Sequence, residues 1–340
     1  MLSHAILAAA SQAWPPFVLV AGLLLIGAVA ADDGLFEATG AHLARSRLGP
    51  RGLLVGLLAL VAAVTAVLNL DTAVVFLTPV LVHAARNRGL DERPFLYGAV
   101  FMANAASLLL PGSNLTNLLV LRSDPQAGSS FATEMLPAWL LACAITAAFV
   151  CVSFRLGGAT RRANAAFSPL RLRVGAAATI VAAFLVVLLP NPAVPVLVVG
   201  LAAITLQRLR PRLNARVLGL LFGVAVALGT LARLWHGPAR LLDSSDVWAV
   251  AGIGAVASLV LNNLPATVLL TGQAPAHPSA LLLGLDLGPN LAVTGSLSAV
   301  LWLQAARSAG ARPSIATYTK LGAVLVPLTL AATVAVSSWS

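Results

Sequence analysis

Charge is what this chain has least of. Only 9% of its 340 residues are Asp, Glu, Lys or Arg, while 59% are hydrophobic and the mean hydropathy is +0.93. A soluble domain carries about 25% charged residues, so the composition asks for a multi-pass membrane protein. Cysteine is nearly absent. Cys143 and Cys151 share one apolar run, separated by about 12 Å of helical rise, too far to pair, and two thiols are too few for a soft-metal site. His4, His42, His83, His236 and His277 fall at the edges of apolar runs or in loops, without metal-ligand spacing. Also missing are a Gly-rich phosphate loop, an ATP motif and a nucleophile–base pair. No enzyme, resident metal, cofactor or internal energy source is therefore expected. Met1 to Ala13 carries no Lys or Arg, so it lacks the basic start of a signal peptide and is expected to be retained.

The charge that is present is lopsided: the formal net charge is +10 and the pI about 11.4. Nucleic-acid binding would explain this, but the positions do not fit it. Arg45, Arg47 and Arg51 form one group; Arg86, Arg88 and Arg93 a second; Arg155, Arg161, Arg162, Arg171 and Arg173 a third; Arg208, Arg210, Arg212 and Arg216 a fourth; Arg307, Arg312 and Lys320 a fifth. Each group flanks an apolar run, and none is interleaved with aromatic residues. That is the positive-inside pattern of cytoplasmic loops in a plasma-membrane protein of the bacterial inner-membrane type.

The apolar runs are 14–31, 53–68, 73–85, 95–121, 135–154, 174–189, 193–206, 217–231, 247–261, 266–271, 280–303 and 315–336. A full span needs about 20 residues. Runs 53–68 and 73–85 are short, flank Asn69-Leu70-Asp71-Thr72, and carry arginines at both outer ends, so a re-entrant hairpin opening to the arginine side is expected. Run 247–261 enters Asn262-Asn263-Leu264-Pro265 and returns briefly, with no Lys or Arg before Arg307, so a second hairpin should open outward. With these hairpins, all basic residues except Arg122, Arg233 and Arg240 fall inside. The expected fold is all-α, with inverted repeats over 14–154 and 217–336. Each repeat holds a hairpin and a broken transmembrane helix, and 155–216 supplies a connecting helix pair and basic loops. Stretches 33–47 and 236–246 read as amphipathic interfacial helices.

Lipid cannot satisfy backbone N–H and C=O groups, so polar breaks at depth survive only inside protein or along a cavity, and a matched pair in two halves marks a transporter site. The breaks supply the candidate substrate-binding residues. Asn69, Asp71 and Thr72 come from the first hairpin. Gly112, Ser113, Asn114, Thr116 and Asn117 come from the first broken helix. Asn262, Asn263 and Thr267 come from the second hairpin, and Gly295, Ser296 and Ser298 from the second broken helix. Asn69, Asn263, Ser113 and Ser296 are expected to share one cavity. Asparagine both donates and accepts, and half-helices offer free N–H groups to a ligand's oxygens. Asp71 and Asp286 are the acids far from a membrane edge. Burying a charge at the bilayer centre costs at least about 2.5 kcal/mol, which marks such acids as functional by default; here they are the candidates for proton coupling. The bland alternatives are a capping role for Asp71 and a polar turn near the outer surface for Asp286.

At these residues the chain resembles the arsenical pump membrane protein family (arsenite permeases) within the ion transporter superfamily, which also holds citrate and divalent-anion/sodium symporters. The resemblance rests on Ala31-Asp32-Asp33-Gly34-Leu35-Phe36-Glu37, on Asn69 through Pro79, on Gly112 through Asn117, on Asn262 through Leu269, and on Asp286 through Leu303. Where arsenite permeases read Asn-Asp-Gly at the first tip, this chain has Asn69-Leu70-Asp71. The resemblance implies proton-coupled efflux of arsenite- or antimonite-like oxyacids, with a soluble ATPase partner in some members; a homodimer is the oligomer entertained. The alternative on the same fold is a sodium- or proton-coupled transporter of citrate, dicarboxylate or another small anion.

Overall fold

The structure, a computed structural model, describes residues 2–121, 128–156, 173–210 and 215–337. Arg122, Arg161, Arg162, Arg171 and Arg212 lie outside the described residues. Those described form helices joined by turns, with no strand among them.

The chain opens with α1 (Leu2–Asp32), which begins twelve residues before the apolar run read from the sequence and carries Pro15 and Pro16 in its interior. Gly34, at φ 74° in the left-handed region that glycine tolerates, turns the chain into α2 (Leu35–Arg45). This helix buries Phe36, Ala38, Gly40 and Ala44 and exposes Glu37, His42 and Arg45. Phe36 stacks on Phe76, centroids 5.7 Å apart, so the amphipathic helix is pinned to the hairpin that follows.

That hairpin is α3 (Pro50–Val67) and α4 (Leu70–Asn87), joined through Leu68 and Asn69. Its tip is sealed in protein, with Leu68 and Asn69 each 1% exposed. Its outer ends are tied together by Arg88, whose guanidinium donates to Ala44 O at 2.8 Å, Ser46 O at 3.2 Å and Leu48 O at 2.8 Å. Each arm has 18 residues, about 27 Å of helix, so length alone does not set how deep the tip sits. Next come α5 (Arg93–Ala106), an irregular break with a 3₁₀ turn at Pro111–Ser113, α6 (Leu115–Val120) and α7 (Gly128–Ser153). A pair follows, α8 (Val174–Leu188) and α9 (Ala193–Gln207), turned by Pro190 and Pro192. The order of the first half then recurs: a long helix α10 (Ala215–Leu234), short α11 (Gly237–Asp243), the hairpin α12 (Val247–Leu261) and α13 (Asn263–Leu270), the broken helix α14 (Pro278–Leu287) and α15 (Leu297–Ser308), and α16 (Ile315–Ser337).

Helices α8, α9 and α10 pack on α1, and α8 packs on α9. A Cβ on Gly22 would lie 2.8 Å from Leu197 backbone, and one on Gly200 would lie 2.8 Å from Gly22 O, so α1 and α9 touch backbone to backbone. Asp33 extends this frame, accepting from Gly175 N and Gln207 Nε2, each at 2.6 Å. The remaining helices exchange partners between halves: α4 lies on α15, and α13 on α6. An aromatic cluster of Tyr97, Phe101, Trp302 and Tyr318 locks α5, α15 and α16 together. Trp302 Nε1 donates to Leu96 O at 2.9 Å, and Tyr318 OH to Pro289 O at 3.0 Å.

Five of the described helices are long and apolar enough to cross a membrane: α1, α3, α7, the 216–234 part of α10, and α16. Inverted halves make a topological prediction. With Cys143 and Cys151 replaced by Ser, cysteines placed singly at the exposed positions Gly49 and Gly89 should react only from the cytoplasm. Cysteines at the exposed Ser244 and Gln273 should react only from outside. Labelling of all four from one face would rule out the inversion.

Candidate substrate cavity

All four breaks meet. The tips of both hairpins and the restarts of both broken helices border one cavity of about 760 Å³. Its deep wall carries Asp71 and Thr72 from the first hairpin, Asn114 and Thr116 from the start of α6, Asn262 and Asn263 from the second hairpin, and Ser298 from the start of α15. Apolar walls come from Phe17, Val20 and Leu24 of α1 and from Leu218 and Leu221 of α10. The cavity runs to a rim at Asp32, Arg210 and Gln304, all exposed. That rim lies among the ends of α1, α9 and α10, next to Arg208 and Arg216.

Each tip is built by the same local chemistry. A helix that starts at depth must find acceptors for its first N–H groups without water. Asn69 Oδ1 accepts from Thr72 N at 2.7 Å, Asn114 Oδ1 from Thr116 N at 3.2 Å, Asn263 Oδ1 from Leu264 N at 2.9 Å, and Ser296 Oγ from Ala299 N at 3.2 Å. Asn262 sits at φ 80°, ψ 148°, backbone that only glycine adopts without strain. Its Nδ2 donates to Thr294 O at 3.0 Å, pinning the second tip to the second broken helix. The first tip is held to the same element, because Ser298 Oγ donates to Asp71 Oδ1 at 2.8 Å.

Seven of the fourteen residues read from the sequence as substrate-binding border the cavity. Asn69, Gly112, Ser113, Asn117, Thr267, Gly295 and Ser296 do not. Of the quartet Asn69, Asn263, Ser113 and Ser296, expected in one cavity, only Asn263 faces it. The reason is the demand the breaks themselves make. Ser113 Oγ donates to Ser107 O and Leu110 O, and Asn117 Nδ2 to the same two carbonyls at 2.7 and 3.2 Å. Thr267 Oγ1 donates to Asn263 O at 2.6 Å. Gly295 packs where a Cβ would lie 2.8 Å from Pro289 Cα. These residues are spent on carbonyls and close packing that lipid could not serve. Among the facing residues, Thr72 keeps a buried hydroxyl with no protein partner among the described residues.

Asp286 is not a polar turn near the surface. It lies in the last turn of α14, 0% exposed, at the crossing of the two broken helices. Its Oδ1 accepts from Asn114 Nδ2 at 2.8 Å, and its Oδ2 lies 3.2 Å from Ser107 Oγ. Beside it, Asn104 Nδ2 donates to Asn290 Oδ1 at 2.7 Å. The sequence reading missed Asn104 and Ser107 because both sit inside a long apolar run. An amide one helical turn before a break was the signal that could have found them.

Among the described residues, the cavity holds at depth one charged group, the carboxyl of Asp71; Asp32 and Arg210 are at the rim. No group of three or more His, Cys, Asp or Glu that could hold a metal occurs among the described residues.

Residues 2–291 match the citrate transporter family, CitMHS. An uncharacterised transporter of Mycobacterium tuberculosis is 25% identical, over 94% of this chain and 84% of that protein. The arsenical pump membrane protein of Yersinia enterocolitica is 26% identical, over 85% of this chain and 78% of its own length. A silicon efflux transporter of Oryza sativa subsp. japonica is 30% identical over a shorter stretch, 37% of this chain and 26% of that protein. Among solved structures, the YdaH transporter of Alcanivorax borkumensis covers 98% of this chain and 86% of its own, with a TM-score of 0.64 at 15% identity, a likeness of fold. The chain belongs to the citrate transporter family of the ion transporter superfamily and is a multi-pass membrane secondary transporter, not an enzyme.

Proposed function

We propose that this transporter exports small undissociated oxyacids of the arsenite and antimonite kind, each in exchange for a proton. The observation that carries this is the charge inventory of the cavity. Among the described residues, those at the depth where the four breaks meet supply amides, hydroxyls and one carboxyl, and no Lys, Arg or His. A multiply charged anion would meet Asp71 with nothing to offset either charge, and unpaired charge away from water is expensive. A neutral hydroxy acid instead donates its O–H groups to Asp71 and to the amide oxygens, and accepts from Thr72 and the amide nitrogens. Relatives named for arsenic and for silicon agree, since both elements dissolve near neutral pH as undissociated hydroxy acids. The rim at Asp32 and Arg210 faces the arginine-rich end, so by the positive-inside rule the cavity is open to the cytoplasm, the loading side for export. In this reading Asp71 carries the exchanged proton at the substrate's own site. No ATPase is needed for the exchange.

The family match favours a second reading, cation-coupled transport of citrate or a related carboxylate, in which bound cations would supply the missing positive charge. The two part company in everted vesicles. Arsenite and antimonite should accumulate when the vesicle interior is acid, and citrate and succinate should not. Sodium-dependent accumulation of citrate, with none of arsenite, would replace the first reading by the second.

A further inference from the structure

We infer that Asp286 holds a proton in this inward-open state, and that releasing it is linked to rearranging the crossing of the two broken helices. Asp286 thereby acts on the cavity through Asn114, while Asp71 meets substrate directly. The coupling half of this inference rests on the proton-exchange reading above; the protonation half does not.

The argument is a count of hydrogens. The Ser107 hydroxyl has one hydrogen and stands near two oxygens, Asn104 O at 2.8 Å and Asp286 Oδ2 at 3.2 Å. A carbonyl oxygen only accepts. The shorter contact is the better placed for the hydroxyl hydrogen, and a hydrogen on Asp286 Oδ2 would make the longer one a full hydrogen bond in its own right rather than a shared one. The neutral acid then donates to Ser107 Oγ through Oδ2 and accepts from Asn114 Nδ2 through Oδ1. Both carboxyl oxygens of Asp286 and the Ser107 hydroxyl then have partners. At Asp71 the count is different, because the Ser298 hydroxyl serves its single contact without needing a proton on the acid.

Among the described residues, the surroundings offer no cation that would stabilise a bare carboxylate at Asp286. Helices α5, α6, α12, α13 and α16 pack against α14. Their titratable or charged residues are Arg93 and Tyr97 on α5 and Tyr318 and Lys320 on α16. Arg93 and Lys320 are exposed. Tyr97 OH is bonded to Ser314, and Tyr318 OH to Pro289 O. On α7, Glu134 takes the Ser279 hydroxyl at the other end of α14.

Asp286 grips both ends of the first break: Ser107 follows the last turn of α5, and Asn114 caps α6. Asn114 also borders the cavity, so the way from Asp286 to water passes its side chain. Release moves the proton from Oδ2 to cavity water and breaks no other covalent bond. The carboxylate left behind accepts from both Ser107 and Asn114, and Asn104 O loses its hydroxyl donor. An unpaired charge would then sit where the two helices cross, which disfavours the crossing as it stands.

Infrared spectroscopy of the purified full-length protein tests the protonation without any substrate. Near neutral pH, wild type and Asp71→Asn should show a protonated-carboxyl C=O band, shifted in D2O, that Asp286→Asn lacks. In Ser107→Ala, which removes the acid's acceptor, the same band should move. A band unchanged by both Asp286→Asn and Ser107→Ala overturns the assignment. For the coupling half, Asp286→Asn can still donate to Ser107, so it should fold and exchange substrate at equal pH, but with a pH profile of the exchange rate that differs from wild type, while the proton on Asp71 still drives uphill transport. A wild-type pH profile in that variant makes the proton structural and overturns the linkage. Failure of every oxyacid to move would sink the proposed substrate and leave the infrared result intact.

Discussion

Asp71→Asn is expected to end uphill transport while leaving exchange of substrate across a membrane at equal pH. Asparagine keeps the shape of the side chain and still accepts from Ser298 Oγ, so the first tip stays on the second broken helix. What it loses is the titrating group. One pH unit corresponds to about 1.4 kcal/mol, so with the membrane potential held at zero a one-for-one exchange should accumulate substrate about tenfold per unit of gradient at steady state. In the variant that ratio should fall to one. Measuring the steady-state ratio at several imposed gradients checks this. A slope that survives Asp71→Asn would move the coupling away from the cavity.

The second large effect is on folding. Gly322 of α16 lies against the second break so closely that a Cβ there would sit 1.8 Å from Asn290 O. The obstacle is backbone on both sides, which cannot rotate away as a side chain can. Asn290 also takes the amide of Asn104 at the crossing, so any shift spreads to the first broken helix. Overpacking in a tight core typically costs about 1–3 kcal/mol, and Gly322→Val belongs at or beyond the upper end of that range. It should abolish recovery of folded protein or lower its melting temperature in detergent by many degrees, with Gly322→Ala a milder case of the same sign. Gly219 on α10 is the control: nothing lies within 4 Å of a Cβ there, so Gly219→Val should fold normally. Equal stability of the two valine variants would mean that α16 does not meet the break in this way.

Why some of this was legible in the sequence and some was not follows from what each signal measures. Apolar runs report which segments leave water, so the bounds of α12 could be read to the residue at Val247–Leu261. The run that became α1 could not, because Ser3, His4, Ser11 and Gln12 dilute its start, yet α1 begins at Leu2. Polar breaks mark where backbone is freed, and that located all four elements around the cavity. They do not say which polar side chains the freed backbone will consume. Ser113 and Asn117 bond the carbonyls of their own break, whereas Asn114, between them, reaches Asp286 and the cavity. Such choices depend on where the neighbouring half crosses, which no local pattern encodes. The same holds for Asp286: its sequence context of Leu, Gly, Pro and Asn suits a surface turn, and only the crossing with α5 shows it to be sealed.

The central claim is that a neutral oxyacid leaves the cell in exchange for a proton, so that one positive charge enters with each cycle. The most direct test is to separate the components of the driving force in everted vesicles that contain this protein as their only arsenite carrier. Arsenite uptake should follow an imposed pH difference with the potential held at zero, collapse when nigericin with potassium dissipates that difference, and also be driven at equal pH by an inside-positive potential set with valinomycin and potassium. Uptake that responds to neither the pH difference nor the potential, or that requires a sodium gradient, would contradict the account.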